Sequence, residues 1–431
     1  MRIIVILQFL LIASKGISQI YVDQKMGING HSFQFIPDLY DDVATHARAY
    51  HPVYWDVKYD ICEPLQLPLT LEKITKDGQI NWIDTYCYWA NYNFTIDLSL
   101  EIDYLSTHDL DLDQLETCIY NYTDSLLYHL SPVISSVEIG NEIVKTDPTN
   151  YLKVFKPMAC AVRNSYPGIK IVTPAVAVSP DGFELPIGLF SDYSELYDVI
   201  NIHTYAFISG YPEWQRTNPE DVQSNYLNKI YNIIKWRNKN APGKEIWITE
   251  FGFDAPSKVA LARERAEEMQ ELKVSSELEQ AQWLVRSHLL FSAMDVERAY
   301  IYYFNDSDVV SLHGASGITR NFIPKPAYFA LKQLKEELEG YQFNRRIKKD
   351  RNEIYIYEFI KNQEGRINRK WVAWRPINKN NSRGYAIKSL YGEPVHINKM
   401  KTSPTQNCIP WKFEDDTIKL PIDGSPLFIL F

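Results

Sequence analysis

The chain has 431 residues, 45% of them apolar, enough to bury a large core and to divide into one big domain and a smaller one. A formal charge of −9 and a pI near 5.6 argue against nucleic acid as a partner, because neutralising phosphates needs a basic stripe and none is visible. The same charge disfavours acidic polymers while leaving room for a local basic subsite, and the 13% aromatic content either fills a core or offers rings that stack on sugar faces.

The chain opens with MRIIVILQFLLIASKGIS, in which Arg2 precedes an apolar run from Ile3 to Ala13 and small residues end at Gly16 and Ser18. Residues 1–18 read as a cleavable signal peptide, too short to span a bilayer. The mature chain is therefore expected to be secreted or periplasmic. No cysteine stands at the cleavage point to carry a lipid anchor. The five cysteines (Cys62, Cys87, Cys118, Cys160 and Cys408) are odd in number and lack metal-ligand spacing, so they are read as mostly buried thiols.

Eight strand-like runs follow, at 26–33, 44–51, 93–101, 135–142, 170–177, 198–205, 245–252 and 299–306. Helical stretches separate them. Asp147 and Pro148 open one that carries Leu152, Phe155, Met158, Ala159 and Val162 and stops at Tyr166-Pro167-Gly168. Asn218 and Pro219 open another, with Val222, Leu227, Ile230, Ile233 and Ile234. Ser276 and Glu279 form a capping box, and a last helix begins at Lys325-Pro326 and ends before Gly340. The mixed-charge run from Arg263 to Lys273 reads as a solvated helix or a lid. Strands alternating with helices predict an α/β fold, a (β/α)8 TIM barrel over residues 19–340, although the first two strands are joined by a segment too short for a full helix. From residue 341 to 431 the pattern is all strand and predicts a small β-sandwich, which packs on the barrel or binds carbohydrate itself. Residues 19–25 are expected to pair with it.

Two strands end on a carboxylate. In SSVEIGNEI the alternation of a strand puts Glu138, Gly140 and Glu142 on one face, and EIWITEFG ends at Glu250. Two glutamates at the ends of different strands are what cleavage of a glycosidic bond needs, one as proton donor and one as nucleophile or base.

At these residues the chain resembles clan A of the retaining glycoside hydrolases. The resemblance is carried by GNE at the fourth strand, TEFG at the seventh, His203-x-Tyr205 on the sixth and Arg48 on the second, and it covers about residues 26–340. It implies hydrolysis of β-glycosidic bonds in a plant, algal or microbial polysaccharide by double displacement, of β-glucan or galactan type, with endo action favoured by the loop aromatics. Glu250 would attack the anomeric carbon, held ionised by Arg48 and Tyr205, while Glu142 would protonate the leaving oxygen, its acidity weakened by the charge of Glu250. Asn141 would bind the sugar 2-hydroxyl. Arg48 has a competing role as partner of Glu138, and His203 is either a core histidine or part of a subsite. Trp55, Tyr54 and Trp214 lie in loops on the sugar side. His31 and His51, at or near strand ends, are open to sugar contact or plain loop placement, and Asn305 on the eighth strand is a further substrate-binding candidate. No cofactor and no metal are expected, since metal-dependent hydrolysis would need clustered His and Asp and only His203 qualifies. The partner is a polysaccharide or oligosaccharide, bound by a monomer with no membrane span. A barrel that binds carbohydrate without cleaving it is the alternative.

Overall fold

The computed structural model describes residues 20–30, 36–57, 61–65, 70–75, 78–102, 112–143, 147–180, 182–210, 213–263, 272–350, 353–376, 382–405 and 409–431. Eight parallel strands form its centre: β1 (Met26–Gly30), β2 (His46–Pro52), β3 (Thr95–Glu101), β4 (Ile134–Ile139), β5 (Lys170–Ala177), β6 (Val199–His203), β7 (Glu245–Phe251) and β8 (Arg298–Ile301). They pair in the order β4-β3-β2-β1-β8-β7-β6-β5, and a β4–β5 pairing closes the ring. Each expected strand is present. Strands in a closed parallel sheet are covered on both faces, which is why β5 reads as the near-continuous apolar run KIVTPAVA. Among its described residues the first connection holds the four-residue helix Pro37–Tyr40.

Capping chemistry sets the helix starts. The Asp147 side chain accepts from the backbone N–H groups of Thr149 and Asn150 at the head of Pro148–Ser165, and Ser276 with Glu279 closes a capping box on Glu277–Ser292. The expected start at Asn218 is wrong: the helix is Tyr226–Asn240. Asn218 instead accepts from the Glu220 N–H in a local turn, and Glu220 pairs with buried Arg286 while accepting from Trp374 of the second domain.

After the last helix, Pro326–Glu337, a five-stranded antiparallel sheet (Gln342–Lys349, Tyr355–Gln363, Arg366–Trp374, Leu427–Leu430, His396–Lys399) faces a three-stranded one (Arg383–Lys388, Thr417–Ile422, Lys412–Glu414). Ile356, Trp371, Ile418, Leu420 and Ile429 fill the space between them as a separate core. Polar clasps join this sandwich to the barrel: Trp374 Nε1 donates to Glu220 (2.6 Å), Gln282 to Ser425 (2.9 Å), and Gln333 bridges Lys399 and Lys401. At the start of the described chain, Val22 donates to the Tyr341 carbonyl and Asp23 accepts from the Gly340 N–H, while residues 23–25 form a 3-10 turn. Cys62 and Cys118, 56 residues apart, form a disulfide, so these two are not the buried thiols expected of them. Cys87 and Cys160 are free, and Cys408 lies outside the described residues. Among the described residues no helix is long and apolar enough to cross a membrane.

His288, on the helix that follows β7, carries a stability prediction. It is buried against the edge of Phe251, its Nε2 has no hydrogen-bond partner, and burial pushes its pKa down to about 3. A histidine neutral when folded but protonated near pH 6.5 when unfolded removes stability as pH falls from 6.5 towards its folded value, by about 1.4 kcal/mol per pH unit. His46, lowered to about 4 by burial and then by Arg298, acts in the same direction. Urea unfolding of His288→Leu between pH 7 and pH 4 is expected to show a shallower acid loss than the parent, and equal slopes would refute this account.

Candidate active site

Two local irregularities aim the carboxylates. Along β7, Trp247 and Thr249 face the barrel interior, so simple alternation would turn Glu250 outward. It does not, because Ile248 pairs with Ile202 and Glu250 with His203: one extra residue on β7 makes a bulge that brings Thr249 and Glu250 both inward. Phe251 resumes the outward face against His288 and Phe291. On β4 the strand stops at Gly140, whose φ of +86° is left-handed. That turn presents Asn141 as well as Glu142 to the same cavity, where alternation would have separated them. A Cβ at residue 140 would lie 2.7 Å from Ile143 Cδ1. Gly140→Ala is therefore expected to cost about 1–2 kcal/mol of stability and to lower turnover by displacing both side chains, read by urea unfolding and kinetics.

Arg48 organises the floor. Its Nε and Nη2 grip Glu138 at 2.8 Å each, Nη2 also donates to Asn141 Oδ1 (2.7 Å), and Nη1 donates to Asn29 Oδ1 (2.8 Å), Tyr50 (2.8 Å) and Glu250 Oε1 (3.0 Å). Both roles weighed from the sequence, partner of Glu138 and neighbour of Glu250, are filled by one side chain. With its oxygen on Arg48, the Asn141 amide keeps its NH2 for a ligand.

Glu250 accepts from Tyr50 (2.6 Å) on one oxygen and from Tyr205 (2.7 Å) on the other. Burial alone would raise its pKa, but the charges of His203 and Arg48 and the two phenol hydrogen bonds outweigh it and bring it down to about 2. Both phenols are pushed well up, by burial first and then by Glu250, so they stay protonated donors. His203 sits between the carboxylates: Nδ1 is 2.8 Å from Glu142 and 3.6 Å from Glu250, and Nε2 is 2.9 Å from the Thr249 hydroxyl. Thr249 donates to Asn201, so it accepts from His203 Nε2–H, leaving Nδ1 to share a proton with Glu142. Burial lowers the His203 pKa, yet Glu250 and Glu142 win and hold it above the usual value.

Above this floor opens a cavity of about 400 Å³ lined by Tyr50, Pro52, Tyr54, Glu101, Asn141, Glu142, Tyr205, Glu250, Tyr302 and His313. A carboxylate oxygen of Glu142, one of Glu250 and a ring nitrogen of His203 all lie within 4.8 Å of one another. That trio is also the candidate cation-binding group among the described residues, although Arg48 already supplies Glu250 with a positive charge.

The fold is that of the glycoside hydrolase barrels. A family 39 glycoside hydrolase from Bacteroides cellulosilyticus superposes with a TM-score of 0.70 at 16% identity, over 94% of this chain and 80% of that one. A bifunctional glucanase-xylanase from a metagenome library follows at 0.60 and 8% identity, covering 95% and 96%. A family 51 α-L-arabinofuranosidase from Bifidobacterium longum matches at 0.56 and 11%, covering 96% of each chain. No protein-family profile and no curated protein matches the sequence itself.

Of the residues singled out from the sequence, Glu142, Glu250, Asn141, His203, Tyr205 and Arg48 come together here. Others fall elsewhere. Trp214 lies in the short strand Trp214–Arg216 and packs edge-on against Phe207 rather than lining the cavity. Asn305 spends its side-chain oxygen on the Phe322 N–H and the Thr319 hydroxyl. His51 is fully buried between Asp56 (2.8 Å) and Tyr86 (3.1 Å), so it offers nothing to a sugar. Trp55 ends the turn Val53–Trp55, next to the cavity-lining Tyr54. His31 and 264–271, most of the run read as a helix or lid, lie outside the described residues. Sequence reading missed Tyr50, Tyr302, Asn29 and His313. The first two were recoverable by alternation, two residues beyond the inward Arg48 and Tyr300. Close approach of β7 and β8 at Tyr302 needs Gly252, where any Cβ would collide with the Tyr302 carbonyl.

Proposed function

We propose that the protein is an exported glycoside hydrolase, acting as a monomer, that cleaves β-linked polysaccharide with retention of configuration, Glu250 attacking and Glu142 serving as acid and then base. The observation that carries this is the pair of carboxylates facing one cavity with oxygens within 4.8 Å, which fits the roughly 5–5.5 Å spacing of double displacement and not the roughly 6.5–9.5 Å that leaves room for water. Glu250, already an anion, attacks the anomeric carbon while Glu142 gives its proton to the departing oxygen, and His203 Nδ1 keeps that proton in place. Water then attacks the glycosyl ester with Glu142 as base. The Asn141 NH2 is placed to bind a sugar hydroxyl. The Cys62–Cys118 disulfide supports an oxidising compartment, as the amino-terminal sequence does. The glucanase-xylanase among the fold's neighbours favours β-glucans and xylans, alongside galactans, and the loop aromatics favour endo action.

The purified protein should be incubated with β-glucans, xylans, mannans, galactans and algal polymers. Released sugars should first appear in the β configuration by proton NMR, and Glu250→Gln should release none. Binding without release would support a carbohydrate-binding barrel instead, and loss of activity to a chelator would move the chemistry to a metal held by Glu142, His203 and Glu250.

A further inference from the structure

We infer that His313 is a sugar-binding donor: Arg216 holds its ring as the neutral tautomer protonated on Nε2, and this N–H serves a neutral hydroxyl oxygen of the glycan beside Glu250. The inference rests on the glycoside hydrolase reading of the cavity, but the state of the ring can be tested without it.

The cavity wall on the β8 side is made by Tyr302 and His313. The His313 ring lies 4.3 Å from that of Tyr205 and edge-on to Tyr302 at 5.7 Å. It is therefore clamped between two phenols of the site, one of which bonds Glu250. Its backbone is left-handed, with φ of 65°, a conformation that a residue with a side chain keeps only where its surroundings impose it.

Behind the ring, Arg216 Nη2 is 3.1 Å from His313 Nδ1. A guanidinium donates only, so Nδ1 must be the unprotonated nitrogen, and the ring proton sits on Nε2. Arg216 has no freedom to do otherwise. Its Nε donates to Asp254 Oδ2 at 2.9 Å, Nη2 bonds the same carboxylate, and its Cζ lies 4.0 Å from the centre of the Phe207 ring. Asp254 is fixed in turn by the Ser316 hydroxyl (2.9 Å). With Nδ1 turned to Arg216, Nε2 is the nitrogen left for the cavity.

The charged groups around the ring are Arg216 and His203 against Asp254 and Glu250. Burial is the largest influence and Arg216 the next, and together they lower the ring's pKa to about 4 despite both carboxylates. The two histidines near Glu250 are therefore pushed in opposite directions, His203 above its usual value by the two carboxylates and His313 below it by burial and Arg216. A neutral donor held at fixed position suits a hydroxyl.

The test has two arms. Nitrogen-15 NMR of the histidine-labelled protein, with His313 assigned by its loss in His313→Gln, should show a proton on Nε2, an unprotonated Nδ1 and titration close to pH 4. A proton on Nδ1, or an imidazolium at neutral pH, would overturn the inference whatever the protein hydrolyses. In the second arm, kcat/KM is measured on 4-nitrophenyl β-D-glucoside, xyloside, galactoside and mannoside. Glutamine carries an N–H near the Nε2 position and asparagine does not, so His313→Asn and His313→Gly should lose roughly tenfold, mostly in KM, and His313→Gln should lose clearly less than either. Glycine relaxes the left-handed backbone, so its loss cannot be laid to backbone strain, and urea unfolding of each variant separates lost binding from lost packing. Equal activity of all three would remove His313 from the sugar site. An inactive parent with the Nε2 tautomer would leave the ring's state standing and bring down the hydrolase reading.

Discussion

Glu250→Gln is expected to lower kcat on a β-glycan by on the order of 10⁴-fold or more, since it removes the attacking group and leaves only the binding surface. The fold should survive, because glutamine keeps the shape of the side chain and one oxygen for the Tyr50 hydroxyl, while its NH2 can donate to the Tyr205 hydroxyl oxygen. The sharper form of the experiment uses Glu250→Ala with added azide. A small anion can then enter the space of the lost carboxylate and attack the sugar from that side, giving a glycosyl azide of inverted configuration. In Glu142→Ala the glycosyl ester still forms from an aryl glycoside, whose leaving group needs no proton, and azide now attacks the ester from the other face. That product retains configuration. Opposite azide anomers from the two variants assign the roles, and the same anomer from both would show that the two glutamates had been cast wrongly. The parent's own acid limb should fall low on the pH scale for the nucleophile, since Glu250 stays ionised down to about pH 2.

The residues that made this site readable were those that obey simple periodicities. Glu138, two residues before Gly140, was placed inside the barrel by alternation and is there, gripped by Arg48. The paired GNE and TEFG strand ends, with His203 and Tyr205 two residues apart, converge because parallel strands in a closed barrel deliver their carboxyl ends to one rim. What alternation could not supply was the aim of Glu250 and Asn141. Each depends on a departure from regular pairing, the extra residue on β7 and the left-handed Gly140, which are properties of two chains in register and not of either alone. His51 shows the same limit from the other side: it sits on a barrel strand, yet Asp56 and Tyr86 close over it. The Cys62–Cys118 disulfide, spanning 56 residues, was likewise out of reach, since spacing along the chain says nothing of which sulfurs meet.

Arg48→Met should be the most destabilising single change in the barrel, by about 3–5 kcal/mol, because it strands buried Glu138 without its cation and takes one from Glu250. Lysine will not substitute, since one ammonium cannot span Glu138, Asn141, Asn29 and Glu250 as the guanidinium does. The defect should depend on pH in a defined direction. Burial already tends to raise the Glu138 pKa, and without Arg48 it rises further. A carboxyl whose folded pKa lies above its unfolded value withholds stability at pH above the unfolded value, so the penalty shrinks as pH falls through the raised folded pKa towards about 4.3. Urea unfolding at pH 7 and pH 5 should therefore bring Arg48→Met closer to the parent at the lower pH. Adding Glu138→Gln removes the stranded charge outright. The double variant should be more stable than Arg48→Met at pH 7, and lower stability would mean that Arg48 holds the barrel by packing and not by charge. Activity separates the two duties of the guanidinium: the double variant recovers stability without turnover, because Glu250 still lacks the cation 3.0 Å away that helps keep it ionised.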